Sequence, residues 1–373
     1  MASLIGIEKE AIDTPALLID LEVMERNIMT MANYYRSKKG AALLPHQKGH
    51  RLPLIARKQI NAGAVGVSMT SLGLAEYYVE SGIDNILLTA EICGRNKIRR
   101  LCELTKHATV IATVDSLENA TQISEEALAT NTKVKVAVEL YAGEHSAGVP
   151  FDQVTEFAEK ITQKQGIEFT GLWHHGSESG FKRLDDRRRA HFEILDRIAN
   201  VKDELEDHGI SVEMLSAGYS CTWNITPEYS KLERVGVQAG SYVFSDWCSH
   251  NHVQGLEAFD CALTVLTRCI SRPAPKEAMF DFGMNSCSDE CGENYHNVVG
   301  PKFKDIESFE RVVQREEIAL AVLKEPDNNV KVGNAYELIP AHADTTAKLH
   351  DKYYGIRDGR VELIIPNHGR GLY

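Results

Sequence analysis

The stretch Ala41-Ala42-Leu43-Leu44-Pro45-His46-Gln47-Lys48-Gly49-His50-Arg51 carries the reading of the fold. Its first four residues form an apolar run, which reads as a short buried strand. Pro45 closes the run, and a helical pattern takes over from Leu54 to Ile60. Between them a lysine stands just past a strand end, with a histidine on either side. A loop lysine is ordinarily solvated. The alternative is an amine that Leu44 and Pro45 partly strip of water, so that it can attack a carbonyl and form a Schiff base.

The flanking chain favours a barrel. Apolar, β-branched runs alternate with longer helical patterns from about residue 15 to 245. The strand-like runs are Ala42–Leu44, Ala64–Ser68, Asn85–Thr89, Ala108–Val114, Lys133–Leu140, Glu168–Trp173, Ser211–Ser216 and Arg234–Gln238. Helical stretches such as Ser71–Ser81, Asn96–Thr105, Ser116–Leu128, Phe151–Gln163 and Asp186–Asp207 separate them. Ten or more residues between short buried strands is the βα crossover spacing. Eight such units predict a (β/α)8 (TIM) barrel, with its chemistry at the C-terminal strand ends. Lys48, just after the first barrel strand, falls on that face.

The pattern changes near Phe259. Val265–Thr267, Ala278–Phe282, Ala319–Val322, Tyr336–Ile339 and Val361–Ile365 read as strands between turn-rich segments, with Gly283–Gly300 and Pro326–Gly333 as loops. The expected organisation is an N-terminal strand at 1–20, a barrel at 21–255 and a smaller, mainly β domain at 256–373. Residues Pro15–Ile19 are expected to pair with that β domain. Asp20 is expected to cap the next helix, with Leu21, Met24, Ile28 and Met31 on one face.

Composition narrows the class. The chain is 43% hydrophobic and 25% charged, as in soluble globular enzymes. A net charge of −12 argues against nucleic acid and anionic membranes as partners. No apolar run approaches the roughly 20 residues that span a bilayer. The start of the chain lacks a secretory pattern, and the eight cysteines are scattered, so a cytoplasmic location with reduced thiols is expected. Cys287 and Cys291 are close, but a lone pair is a weak zinc signal.

Three further features carry chemistry. Ser216-Ala217-Gly218-Tyr219-Ser220-Cys221-Thr222 and Gln238-Ala239-Gly240-Ser241-Tyr242 follow the seventh and eighth strands. Barrel loops at these places commonly bind phosphate. Gly218 and Gly240 allow close backbone approach, and Ser220, Thr222, Ser241 and Tyr242 offer hydroxyls. Pro340-Ala341-His342-Ala343-Asp344 follows a strand. If extended, it puts His342 and Asp344 on one face, a donor pair suited to a divalent metal. Trp173-His174-His175-Gly176 ends the sixth strand, with Trp173 and His175 on one face and His174 on the other.

Taken in order, these motifs resemble the D-threonine aldolase/D-serine dehydratase group of fold-type III pyridoxal phosphate enzymes, which have an alanine-racemase-like barrel. The resemblance runs through Asp13–Asp20, Pro45–His50, Gly171–Gly176, Gln238–Phe244, Ala262–Leu266, Glu337–Asp344 and Arg357–Val361. It implies a homodimer and pyridoxal 5′-phosphate on Lys48. His46, Trp173, Gly218, Tyr219, Ser220, Thr222, Gly240, Ser241 and Tyr242 would line the cofactor site. A divalent metal (Mn, Mg or Zn) would sit on His342 and Asp344. His-x-Asp is the aldolases' pattern, whereas the dehydratases tend to carry His-x-Cys. Several positions depart from the family: Leu44 and Ser146 stand where arginines are usual, Gly49 and Arg51 replace Thr and Lys, Trp173 replaces Tyr, and Tyr219 replaces a small residue. The missing arginine at Ser146 points away from plain D-threonine or D-serine.

The expectation is therefore a lyase that cleaves a β-hydroxy D-amino acid by a retro-aldol reaction to glycine and an aldehyde, with His175 or a metal-bound water as base. Dehydration to a 2-oxo acid and ammonia is the alternative. A racemase would need a second base, for which Tyr295, Tyr353 and Tyr354 are the available tyrosines. A non-catalytic pyridoxal phosphate protein would usually lack the second domain.

Overall fold

The computed structural model describes residues 4–38, 40–141, 143, 146–176, 183–289 and 300–373. The chain divides into two compact units, one of Met1–Thr30 with Ser241–Arg370 and the other of Met31–Gly240 with Gly371–Tyr373.

The second of these is the barrel. After β1 (Ala16–Asp20) and α1 (Leu21–Arg36) come β2 (Ala41–Leu43), α2 (Pro53–Asn61), β3 (Val67–Met69), α3 (Leu72–Glu80), β4 (Asn85–Glu91), α4 (Arg95–Leu104), β5 (Thr109–Val114) and α5 (Leu117–Ala129). They continue with β6 (Val134–Glu139), α6 (Val154–Thr162), β7 (Ile167–His174), α7 (Leu184–Asp207), β8 (Met214–Ala217) and β9 (Val235–Val237). Among the described residues, β2 to β9 form one eight-stranded parallel sheet in the order β2-β9-β8-β7-β6-β5-β4-β3. Its two ends meet through a parallel His46–Ser68 bridge, supported by Ser68 N–H to Pro45 O at 3.0 Å and Gln47 N–H to Ser68 O at 2.8 Å. The expected α/β barrel and all eight of its strands are present, shifted by one to three residues at their ends.

Alternation sorts the strand side chains into two layers. Leu44, Leu87, Ile111, Ala137 and Trp173 form a small cluster in the barrel interior. Val67, Ile86, Leu88, Val110, Ala112, Val136, Val138 and Leu172 face the helices in a far larger core. Burial of that apolar layer is the main driving force for this unit.

The other unit is built on strands. β1 pairs antiparallel with β10 (Leu263–Ala274) and parallel with β16 (Lys352–Arg357), which pairs with β17 (Arg360–Pro366). Among the described residues, β11 (Glu277–Phe280), β12 (Lys302–Phe303), β13 (Phe309–Gln314), β14 (Ala319–Leu323) and β15 (Ala335–Ile339) complete a nine-stranded sheet. Two short helices, α8 (Trp247–His252) and α9 (Ala343–Ala347), also belong to this unit. Residues 241–255 group here because Trp247 N–H bonds Pro340 O at 3.1 Å and Asp246 accepts from Ala343 N–H. Asp20 caps α1 by accepting from Val23 N–H at 3.0 Å, and Leu21, Met24, Ile28 and Met31 are all buried. β12, β13 and β16 escape the sequence reading. Half of β13 is polar and its burial pattern has no clean alternation.

The thiols differ from expectation in one respect. Cys102, Cys221, Cys269 and Cys287 are free and buried, and Cys93 is free but exposed. Cys248, however, is disulfide-bonded, so the cysteines are not uniformly reduced. Full burial holds the Cys287 thiol well above the ordinary thiol range. Cys291 and most of the Gly283–Gly300 loop lie outside the described residues. Among the described residues no helix is long and apolar enough to cross a membrane.

Candidate active site

The lysine loop is held from inside. Gln47 is fully buried, giving its amide N–H to Pro45 O at 2.7 Å and Gln59 Oε1 at 3.0 Å, and accepting from the Tyr78 hydroxyl at 3.2 Å. With Gln47 pinned inward, the next side chain, Lys48, is exposed. The partial desolvation expected of Lys48 is therefore not present in the protein alone. His46 Nδ1 accepts from Lys48 N–H at 3.2 Å, which puts the ring proton on Nε2, 3.2 Å from Thr89 Oγ1. His50 is buried and takes a loop-structural part, its Nδ1 accepting from Leu52 N–H at 3.1 Å. Arg51 gives Nη1–H to Leu372 O at 3.4 Å, and its guanidinium lies 5.5 Å from the Tyr373 ring centre.

The two glycine loops converge beside it. Gly218 has φ +94°, and a Cβ there would stand 2.5 Å from Thr222 Oγ1 and 2.9 Å from Thr226 Oγ1. Gly240 lies so close to the lysine loop that its Cβ would sit 2.5 Å from His46 O. Gly240 N–H donates to Ser220 Oγ at 3.2 Å, and Tyr219 N–H to Thr222 Oγ1 at 3.1 Å. Burial raises the Cys221 thiol, but Tyr219, Arg187 and the Lys48 ammonium pull it back. Lys48 is thus electrostatically within reach of the Ser220–Thr222 turn. A glycine-lined cradle closed to any Cβ, facing a lysine, fits a phosphorylated aldehyde. Beyond Gly240 the chain enters the short turn Ser241–Val243, in which Tyr242 is buried against Phe259 at 5.5 Å between ring centres.

The sixth-strand motif splits as its alternation predicts. Trp173 joins the interior cluster, its Nε1–H donating to Thr113 Oγ1 at 2.8 Å. His174 is fully buried, with Nδ1 accepting from Gly176 N–H at 2.9 Å. His175 is exposed and stacks on Tyr219. Ser177–Ser179 lie outside the described residues, as does Tyr295. Tyr353 and Tyr354 are buried in β16.

Sequence reasoning missed several residues. Glu139 ends β6 on the interior face, 7% exposed, and its carboxyl is raised to about 9 by burial, by a hydrogen bond with Glu91 and by repulsion from Glu91 and Asp115. Its spacing from Ala137 gave the only available signal for that orientation. His191, fully buried on α7, is pushed down to about 3 by burial and by His174, so it is neutral. Its Nε2 bonds Thr226 Oγ1 at 2.8 Å.

In the strand unit, His342 caps α9 with extended backbone (φ −134°, ψ 117°), and Asp344 lies in the first turn. The pair is not extended throughout, yet Nε2 of His342 stands 3.7 Å from Asp344 Oδ2. His342 Nδ1 is buried without a hydrogen-bond partner, and Asp344 is 5% exposed. One imidazole and one carboxylate this close together suit a divalent cation with open positions. Among the described residues no group of three possible ligands forms. Asp246 supports the pair: its carboxylate accepts from Ser249 N–H at 2.7 Å and from Ala343 N–H at 3.1 Å.

Comparison with known proteins gives a consistent picture. The model described as alanine racemase, N-terminal domain, matches residues 19–243, and a serine dehydratase domain matches residues 262–356. A D-threonine aldolase from Arthrobacter sp. is 31% identical over 97% of this chain and 93% of its own length. A 3-hydroxy-D-aspartate aldolase from Paracoccus denitrificans (strain Pd 1222) is 28% identical over 98% of this chain and 94% of its own length. The crystal structure of a D-threonine aldolase from Filomicrobium marinum superposes with a TM-score of 0.89 at 28% identity, covering 100% of each chain.

Proposed function

The chain belongs to the family defined by the alanine racemase N-terminal domain, and from that premise we propose that it is a pyridoxal phosphate-dependent lyase that cleaves β-hydroxy D-amino acids by a retro-aldol reaction. The observation that carries the reading is the pairing of Lys48 with a glycine cradle that excludes any Cβ, on a chain similar over nearly its whole length to two aldolases.

Lys48 would bind pyridoxal phosphate through its amine, and the cofactor would supply an electron sink for the pair released at the substrate's Cα. The backbone at Gly218 and Gly240, with the Ser220 and Thr222 hydroxyls, would hold the phosphate. Ser241 and Tyr242 are assigned to the same end, and Trp173 and His46 to the ring. His175 takes the proton from the β-hydroxyl oxygen as the Cα–Cβ bond breaks and the carbonyl forms. Lys48, freed once the substrate amine takes its place on the aldehyde carbon, would return a proton from Nζ to Cα, so that the products would be glycine and an aldehyde. His342 and Asp344 would hold a divalent cation that supplies Lewis acidity toward the β-hydroxyl. A carboxylate in the pair favours Mn2+ or Mg2+ over the softer preference of a thiolate site, with Zn2+ also possible on these donors. The protein is further proposed to act as a cytoplasmic homodimer.

The deciding experiment incubates the purified protein with a panel of D- and L-β-hydroxy amino acids, with and without chelator. Glycine plus aldehyde from the D-isomers is expected. A 2-oxo acid plus ammonia would identify a dehydratase instead. Loss of the Schiff-base absorbance in Lys48→Ala is the control on the cofactor.

A further inference from the structure

The phosphate cradle has a feature that a backbone-only reading leaves unexplained. Arg187, in the first turn of α7, is 1% exposed and heads the largest fully buried side chains among the described residues. A guanidinium cannot escape burial by losing its proton, so its charge is fixed in a region of low dielectric. Its Nη1–H donates to Cys221 O at 2.6 Å. Cys221 is the middle residue of the Ser220–Thr222 turn. The same guanidinium acts electrostatically on the Cys221 thiol, as does Lys48.

Lys48 is the other cation that acts on the Cys221 thiol. His191 is neutral, and it packs with Thr222 and Thr226 around the site of the Gly218 Cβ. A doubly charged phosphate laid on backbone amides and two hydroxyls loses its hydration. A buried positive charge bonded to the turn that would hold it acts on it far more strongly than the same charge would in water. The charge-assisted bond to a carbonyl of the turn also fixes the backbone that forms the cradle.

We propose that Arg187 is the positioning residue for the phosphate of the cofactor, acting through the Cys221 carbonyl and its own buried charge. The inference rests on the proposed binding of pyridoxal phosphate at Lys48. It adds a specific consequence: recognition of the phosphate, and not of the aldehyde or ring, depends on Arg187.

The test compares pyridoxal 5′-phosphate with pyridoxal, which lacks the phosphate, titrated into apoprotein and followed by the visible absorbance of the lysine imine. Arg187→Gln is expected to weaken pyridoxal phosphate binding about tenfold or more, which is about 1.4 kcal/mol, while pyridoxal affinity stays within about twofold. Arg187→Lys, which keeps the charge but loses the guanidinium that holds the Cys221 carbonyl, is expected to recover only part of the difference. Equal weakening of both ligands overturns the proposal and leaves Arg187 a purely structural residue. No weakening of either also overturns it. Should Arg187→Gln not fold, inorganic phosphate serves as the probe on Arg187→Lys and wild type. Phosphate should compete with pyridoxal phosphate but not with pyridoxal, and less so in Arg187→Lys. Competition equal in the two proteins counts against the proposal. A wild-type protein that forms no imine with either aldehyde sinks the cofactor reading itself, before any substitution is compared.

Discussion

His175 lies nearly face to face with Tyr219, the ring centres 5.0 Å apart and the planes inclined by 26°. One ring ends the sixth barrel strand's motif and the other belongs to the first glycine loop. The stack limits the swing of an otherwise exposed imidazole, which is what a positioned base requires. His175→Ala is expected to lower kcat by about a hundredfold or more without removing the imine absorbance. Tyr219→Ala should cost less and raise KM as well, whereas Tyr219→Phe, which keeps the stack, should stay near wild type. An unchanged kcat in His175→Ala removes it from the mechanism.

Gly218→Ala tests the cradle. The +94° backbone and the 2.5 Å approach to Thr222 Oγ1 together oppose any side chain there. A stability loss of about 1–3 kcal/mol is expected from chemical denaturation. Weakened pyridoxal phosphate binding should accompany it. Gly240→Ala, opposed by His46 O at 2.5 Å, should push on the lysine loop and disturb the imine absorbance instead.

Two buried groups set opposite pH limits. Glu139 is raised from about 4.5 to about 9, so the folded state holds the proton more tightly than the unfolded chain does. Its contribution is full below the unfolded value and is lost as pH rises toward 9. The wild-type Tm is therefore expected to decline between pH 5 and 9, and Glu139→Gln to flatten that decline. His191 has the reverse linkage. Depressed from 6.5 to about 3, it favours folding above 6.5 and loses that contribution as pH falls toward 3. His191→Gln should make the protein less sensitive to acid, read by Tm over that range. A Glu139→Gln profile parallel to wild type would refute the first assignment.

The His342–Asp344 pair predicts a metal preference that substitution can move. Asp344→Asn or His342→Ala should weaken Mn2+ binding, measured by calorimetry, about tenfold or more. Asp344→Cys makes the donor set softer and should shift selectivity from Mg2+ or Mn2+ toward Zn2+. If neither Asp344 variant alters metal affinity, the cation sits elsewhere.

Asp246→Asn keeps the size of the side chain but not its charge. It weakens the anchor on Ser249 N–H and Ala343 N–H, two buried bonds. A loss of about 1–3 kcal/mol is expected, together with weaker metal binding. Normal metal affinity in a destabilised variant would confine Asp246 to folding.

What could be read from the sequence followed local rules. The barrel strands, the Asp20 cap and the split of Trp173 from His174 all come from periods of two or 3.6 residues and from one capping side chain. Gly218 and Gly240 were legible because glycine before a hydroxyl-bearing turn is a local pattern. Asp246 was not, because one of its partners, Ala343, lies 97 residues away. Arg187 sits in a helix whose sequence, Leu184-Asp185-Asp186-Arg187-Arg188-Arg189, gives no sign which of three arginines is buried. The desolvated lysine expected at position 48 failed for a related reason: flanking apolar residues say nothing about which way the intervening side chain turns. Gln47 decides that, through partners at positions 59 and 78.

The His46–Ser68 bridge is the seam at which the cylinder of strands is sewn shut, and Lys48 is two residues beyond the last stitch. An enzyme engineer who recuts this loop to admit new substrates would be unpicking the cylinder.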